Sequence, residues 1–331
     1  MSDIAKAAGV SLATVGRVLH KRGYVSAENR EKIERLVQES GYVPNKMAQG
    51  LKNRQSKLIG HLVVFNPNML FAKISLAVSS AALEQGFHVL TMTGHQNLNE
   101  EEAQLNELIG HRVDGVIITS NARIPKTLIQ KLVDLKIPVV MIERTYDLPR
   151  VDCIRVDDLA GSFEAVQHLI KHGQRRIGFI GMQLFHEVER LRYQGYCEAL
   201  RSAGIELVDE YICFMPEYSV EAGYRAMQAL MKLEQPPGSV FATSDLFICG
   251  VMQSLYQQGK RVPDDLSLVG YDDTLSTLLA PPITSVGLSL DEIGKQAIEL
   301  LLERMQDIQA PSRMVTIKTV LIKRDSVSSI P

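Results

Sequence analysis

From Leu58 onward the chain repeats one pattern: a short apolar run, then a longer stretch with the periodicity of an amphipathic helix. The runs are LIGHLVV (58–64), FHVLTMTG (87–94), GVIITS (115–120), PVVMIE (138–143), CIRV (153–156), RIGFIG (176–181), SVFATS (239–244), LSLVGYD (266–272) and ITSV (283–286). Between them lie helical stretches such as Glu100–His111, Gly161–His172 and Leu191–Ala203. Continuous β-rich runs alternating with helices describe parallel strands covered on both faces. So many units exceed one comfortable sheet, so the pattern predicts an α/β body of two lobes.

Ligands of such sheets bind outside the carboxyl ends of the strands. Glu143 follows PVVMI, Asp157-Asp158 follow CIRV, Ser244-Asp245 follow SVFAT and Asp272-Asp273 follow LSLVGY. Arg192 lies near the start of a helix, in ERLRYQGY. Carboxylates accept from hydroxyls and arginine donates in a fixed fork, so this set suits a polyhydroxyl ligand. Tyr218 can stack on a sugar face, or equally on a purine. An acidic residue after a strand often only caps the next helix, and that reading is taken for Asp157, Asp158 and Asp245.

The first 57 residues differ in charge from the rest. They carry 11 Lys and Arg against 5 Asp and Glu, a balance of +6, while the remaining 25 against 33 leave −8. A basic head on an acidic body predicts a polyanion partner for the head alone. Within it, Asp3–Ala8 reads as a short helix with Ile4, Ala5 and Ala8 inward and Ser2 as its cap. Gly9-Val10 makes a tight turn, Ser11 caps a second helix from Leu12 to about His20, and a third helix runs from Ser26 to Gly41 with Ile33, Leu36 and Val37 inward. Helix, glycine turn, helix is the helix-turn-helix signature. Ser11 and Thr14 are placed to reach phosphates, and Arg17 to pair with the O6 and N7 of a guanine. Val15 and Leu19 hold the second helix to the core, and Leu12 belongs either to that stripe or to the DNA face.

Other classes find little support. There is no apolar run of eighteen residues, and the MSDIAKAAGVS start lacks a secretory signal pattern, so a cytoplasmic chain with no membrane contact is expected. Cys153, Cys197, Cys213 and Cys249 form no CxxC pair and read as free thiols. No GxGxxG after a strand, GxxxxGK[ST], GxSxG or HExxH occurs, so no catalytic residue, metal site or cofactor is expected and the chain reads as a non-enzyme.

The stretch DIAKAAGVSLATVGRVL, followed by VSAENREKIERLVQESGYVPNKMAQGLKNRQSKLIG, resembles the lactose-repressor (LacI/GalR) family of bacterial transcription factors, and the resemblance extends along the whole chain. It implies a helix-turn-helix domain at 1–44, a hinge helix and linker at 45–57, and a core similar to periplasmic sugar-binding proteins. Three strands would cross between its lobes, dividing it into 58–156 with 288–316 and 157–287 with 317–331. Base reading falls to Leu12, Ala13 and Arg17. Asn45, Ala48 and Leu51 belong to the hinge, where Leu51 would wedge into the minor groove. Glu143, Arg192, Tyr218, Ser244 and Asp272 match effector-contact positions, and His95 falls near one but reads as structural.

The implied function is repression of transcription by a homodimer on double-stranded operator DNA, controlled by a small sugar-type effector. Gly16 stands where the family usually has Ser, Gly50 lies inside the hinge helix, Ser244 replaces a usual Asn and Glu143 a common Asp. The chain also starts close to its first helix, so either an N-terminal arm contact is lost or the true start lies upstream. No leucine heptad follows Lys323, so no tetramer of that kind is expected.

Overall fold

The computed structural model describes residues 1–19, 22–42, 55–64, 68–94, 98–120, 124–144 and 146–329. It divides into two compact units, Met1–Ser56 and Lys57–Pro331. In the first, α1 (Ser2–Ala8) ends on Gly9, whose φ of 71° is left-handed and available to glycine without strain. Met1, not Ser2, occupies the N-cap position of α1, and Ser2 is already helical. Ser11 accepts from the Thr14 backbone N–H at 3.1 Å and opens α2 (Leu12–Leu19). Ser26 caps α3 (Ala27–Ser40), which stops at Gly41. Ile4, Ala5, Ala8, Val15, Val18 and Ile33 form the core, with Leu19, Leu36 and Val37 packed partly against it. Val18, which the sequence pattern did not single out, is thus more deeply buried than Leu19.

The second unit alternates strands and helices as expected. In chain order these are β1 (Leu58–Val64), α4 (Met69–Glu84), β2 (His88–Gly94), α5 (Leu98–Gly110), β3 (Gly115–Ser120), α6 (Lys126–Asp134), β4 (Val139–Glu143) and β5 (Val151–Val156). There follow α7 (Asp158–Lys171), β6 (Ile177–Met182), α8 (Glu187–Ser202), β7 (Ile212–Met215), α9 (Val220–Met231), β8 (Ser239–Ala242), α10 (Asp245–Gln257) and β9 (Ser267–Asp272). Last come β10 (Thr284–Leu288), α11 (Leu290–Gln306), β11 (Met314–Ile317) and β12 (Thr319–Ile322).

Two six-stranded sheets result, ordered β11-β5-β4-β3-β1-β2 and β12-β10-β9-β8-β6-β7. Every pairing is parallel except β10 with β12. The sheets therefore share one winding order, and β4 in the first occupies the place of β9 in the second. The chain passes between them after β5, after β10 and between β11 and β12.

Period-2 geometry explains the all-apolar strands. In β3, Ile117 faces Ile74 and the α11 residues Ile298 and Leu301, whereas Val116 and Ile118 join Leu105, Leu108 and Leu132 on the other face. Both faces are thus dry. The second sheet repeats this, with Val240 in one cluster and Phe241 in the other. Glycine permits the closest helix approach: a Cβ on Gly250 of α10 would collide with the backbone of α9 at Val220. Asp152 of β5 ties three elements together. Its carboxylate takes the buried guanidinium of Arg304 (α11) at 2.7 and 3.1 Å and that of Arg313, just before β11, at 3.1 Å.

The nine runs named from sequence all fall on strands. The three strands not foreseen, β7, β11 and β12, are four residues long and half open to solvent, with Phe214, Met314, Val320 and Ile322 exposed. Such short edge strands lack the continuous apolar signal of a central one.

Candidate functional sites

In the first unit, the start of α2 presents a solvent-facing row. Ser11, Leu12, Ala13 and Arg17 are exposed and Thr14 is half-buried, while Val15 and Val18 point into the core. This settles Leu12 on the open face, at 53% exposure. The Ser11 and Thr14 hydroxyls hydrogen-bond to each other at 2.9 Å, so both sit on one edge of the helix start. The Arg17 side chain lies alongside Gly23. Small residues at the helix tip, hydroxyls at its edge and one guanidinium a turn further make a surface that fits a major groove. Asn45, Ala48 and Leu51 of the expected hinge, and His95, lie outside the described residues.

In the second unit, the carboxyl ends of β4 and β9 face each other across the two sheets. Glu143 ends β4 and Asp272 ends β9, and both hold positive φ, at 78° and 82°. Non-glycine residues rarely take that conformation, and it clusters at functional sites. Glu143, Arg192, Tyr218 and Asp272 line one cavity together with Asn68, Leu70, Phe71 and Val188. Its free space is about 10 Å³, room for one water at most, so the two lobes are closed on each other. Across the seam, Asn68 donates to Asp272 Oδ2 at 2.6 Å and Lys73 Nζ donates to the Thr274 carbonyl at 3.1 Å.

Arg192 is the hub. Its Nε donates to Asp158 at 2.8 Å and its Nη1 to the Thr243 carbonyl at 2.6 Å. Nη1 lies 3.7 Å from Glu189 and Nη2 lies 3.6 Å from Asp272. The guanidinium stacks 3.8 Å above the Tyr271 ring, a cation–π contact. Glu189 is fully occupied: it accepts from the Met182 N–H, the Tyr218 hydroxyl at 2.7 Å and the Thr243 hydroxyl. Glu143 makes no hydrogen bond among the described residues, and Asp272 Oδ1 is buried without a hydrogen-bond partner.

Burial sets the protonation of this cluster. It raises Glu143 to about 8, helped by the nearby Asp158 and Asp272 and opposed by Arg192. It raises Asp272 to about 7 against the pull of Arg192. Asp158 and Glu189 are also raised by burial, with Arg192 countering in each case. Burial works against the charge of Arg192, but the carboxylates around it outweigh that and hold it protonated.

Four of the five residues expected at the effector site therefore meet at one cavity. Ser244 does not line it: its fully buried Oγ accepts from the Phe247 N–H and caps α10. Asp157 caps α7, as expected, but Asp158 turns inward to Arg192 rather than capping. Asp245 holds the 274–276 loop instead of its own helix, accepting from the Thr274 and Leu275 N–H groups and the Thr274 and Ser276 hydroxyls. Asn68, Asp158 and Glu189 are the residues the sequence reading missed. The available signals were an Asn just after a strand, and a Glu three residues before Arg192 on one helix face.

Comparison with known proteins agrees with this geometry. Residues 1–45 match the model of the bacterial regulatory proteins of the lacI family, and residues 166–327 match a periplasmic binding protein-like domain. The chain is 33% identical to the HTH-type transcriptional repressor CytR of Escherichia coli K12, covering 100% of this chain and 97% of that one. It is 31% identical to the HTH-type transcriptional repressor PurR of Mannheimia succiniciproducens, over 100% and 99%. Among solved structures it superimposes on a lac repressor dimer bound to operator and the anti-inducer ONPF with a TM-score of 0.85, at 26% identity over 99% and 98% of the chains. It matches a complex of the transcriptional regulator CelR with cellobiose at 0.74, with 32% identity over 98% of both. A helix-turn-helix unit, a two-sheet body and relatives matched from end to end together place this chain in the lacI family of bacterial regulatory proteins.

Proposed function

We propose that this protein is a sequence-specific transcriptional repressor that binds operator DNA as a homodimer and releases or grips it in response to a small polyhydroxyl effector. The observation that carries the reading is the exposed row Ser11, Leu12, Ala13 and Arg17 on a second helix whose other face is core. Ser11 and Thr14 hold phosphates, Leu12, Ala13 and Arg17 read bases, and the hinge residues Asn45, Ala48 and Leu51 engage the minor groove. The effector enters between the domain portions 58–156 with 288–316 and 157–287 with 317–331. Glu143, Arg192, Tyr218 and Asp272 face it there, and Ser244 supports the site as a cap. Closure of the lobes is the state variable: an effector acts only through its different affinity for open and closed forms.

The cleft receives a ligand and does not turn it over, so we propose no catalytic role. No helix of the described residues is long and apolar enough to cross a membrane, and we place the protein in the cytoplasm with its DNA target. For the dimer, α4 offers Met69, Leu76 and Leu83, exposed and seven residues apart on one face, to the same helix of a second copy.

Selection of bound duplexes from a random pool, at fixed near-physiological salt, tests the reading. A palindromic site with half-sites a helical turn apart is the expected result. A pool that enriches no sequence would overturn it.

A further inference from the structure

Four carboxyl groups, Glu143, Asp158, Glu189 and Asp272, surround the closed cleft, and each is at least nine-tenths buried. Among the described residues one guanidinium, Arg192, answers all four: its Nε donates to Asp158 and its Nη1 to the Thr243 carbonyl, while its Nη2 lies 3.6 Å from Asp272 Oδ1, beyond hydrogen-bond reach. Two further cations among the described residues are engaged elsewhere. Lys73 donates to the Thr274 carbonyl, and Arg324 is held by both oxygens of Asp273 at 2.6 and 2.9 Å. Acceptor capacity remains at two points: Glu143, which makes no hydrogen bond among the described residues, and Asp272 Oδ1, which has the Arg192 guanidinium 3.6 Å away but accepts no hydrogen bond. One belongs to each sheet, so a ligand between the lobes meets both.

Each class of ligand fares differently at such a site. An anion would add charge to a ring already short of cations. A neutral polyol can donate hydroxyl hydrogens but brings no charge against which Glu143 and Asp272, held protonated by burial up to about pH 8 and 7, could ionise. A metal ion finds no suitable group of ligands among the described residues. A protonated nitrogen supplies donors and positive charge together, through charge-assisted hydrogen bonds. We infer that the effector is a polyhydroxyl compound carrying a protonated amine, with the ammonium group seated between Glu143 and Asp272. This rests on the effector-cleft reading above and narrows it to a ligand class.

The test uses a matched pair of probes. Tris(hydroxymethyl)aminomethane is a polyol with a protonated amine at pH 7, and pentaerythritol is its neutral counterpart of nearly the same shape. Thermal melting of the full chain is measured with each at matched ionic strength, alongside glucosamine and glucose. The amine members should bind about tenfold tighter than their neutral partners, read from the concentration dependence of the melting temperature. Glu143→Gln, isosteric with the protonated acid, should erase that preference, and Asp272→Asn should weaken it. Equal shifts from charged and neutral partners, a preference that survives Glu143→Gln, or no shift from either amine would overturn the inference. Ribose or cellobiose stabilising the wild type but not Arg192→Ala would then keep the effector cleft and discard only the ammonium. Any ligand that stabilises Arg192→Ala as well as the wild type would instead remove the cleft reading itself.

Discussion

Glu143→Gln also makes a quantitative prediction in the absence of any ligand. In the unfolded chain this carboxyl titrates near 4.5, while in the closed cleft burial, with Asp158 and Asp272 nearby, raises it to about 8. Between those values the native state holds a proton that the unfolded state has released, so stability falls as pH rises. The contribution is fully present below 4.5 and gone above about 8. One proton of difference is worth about 1.4 kcal/mol per pH unit, so from pH 5 to 7.5 the loss amounts to about 3 kcal/mol. The amide of the Glu143→Gln variant cannot titrate, so the stability of the wild type minus that of the variant should fall by that amount across the interval. Arg192 opposes the shift, and Asp158 and Asp272 share the same field, so the proton belongs to the group and part of the slope can pass to Asp272. The assay is urea unfolding followed by far-UV circular dichroism, since the chain has no tryptophan. Midpoints are compared at each pH with equal slopes as the condition for the comparison. Wild-type and variant curves that run parallel from pH 5 to 7.5 would refute a buried carboxyl at position 143 that keeps its proton to about pH 8.

Other substitutions separate the parts of the molecule. Asp152→Asn leaves Arg304 buried without its carboxylate and should cost about 3–5 kcal/mol, seen as an earlier melt. The wild type, whose Asp152 is held below its ordinary value because the Arg304 and Arg313 hydrogen bonds outweigh its burial, should lose this advantage as pH falls into the acid range. Ser244→Ala should lower stability by about 1 kcal/mol through the lost cap of α10 while leaving the effector response intact, and a lost response would return Ser244 to the cavity wall. Arg17→Ala should weaken the selected operator by about 1–3 kcal/mol and relax one base pair, whereas an equal loss on random duplexes would make Arg17 a phosphate contact. Leu76→Lys with Leu83→Glu should yield monomers in sedimentation, and an unchanged dimer would place the interface on another face.

The parts of this fold legible in sequence were those specified locally. Central strands buried on both faces must be continuously apolar, so PVVMIE and LSLVGYD announced themselves, and the rule that ligands sit beyond strand carboxyl ends then picked out Glu143 and Asp272. The helix-turn-helix was legible because Gly9, Ser11, Ser26 and Gly41 punctuate it with residues suited to caps and turns. What escaped depends on partners far along the chain. Asn68 acts through Asp272, 204 residues away, and Asp158 through Arg192, 34 residues away, and no spacing pattern encodes either pair. Ser244 shows the opposite case, a residue at the expected position whose hydroxyl is consumed by its own helix. Strand-end position therefore identifies which residues border a cleft, but the ligand meets only what remains after internal hydrogen bonds are made. Here both oxygens of Glu189 accept hydrogen bonds, while among the described residues Glu143 and one oxygen of Asp272 accept none. That remainder of unfilled acceptors, not the number of polar groups at the site, is what should select the effector.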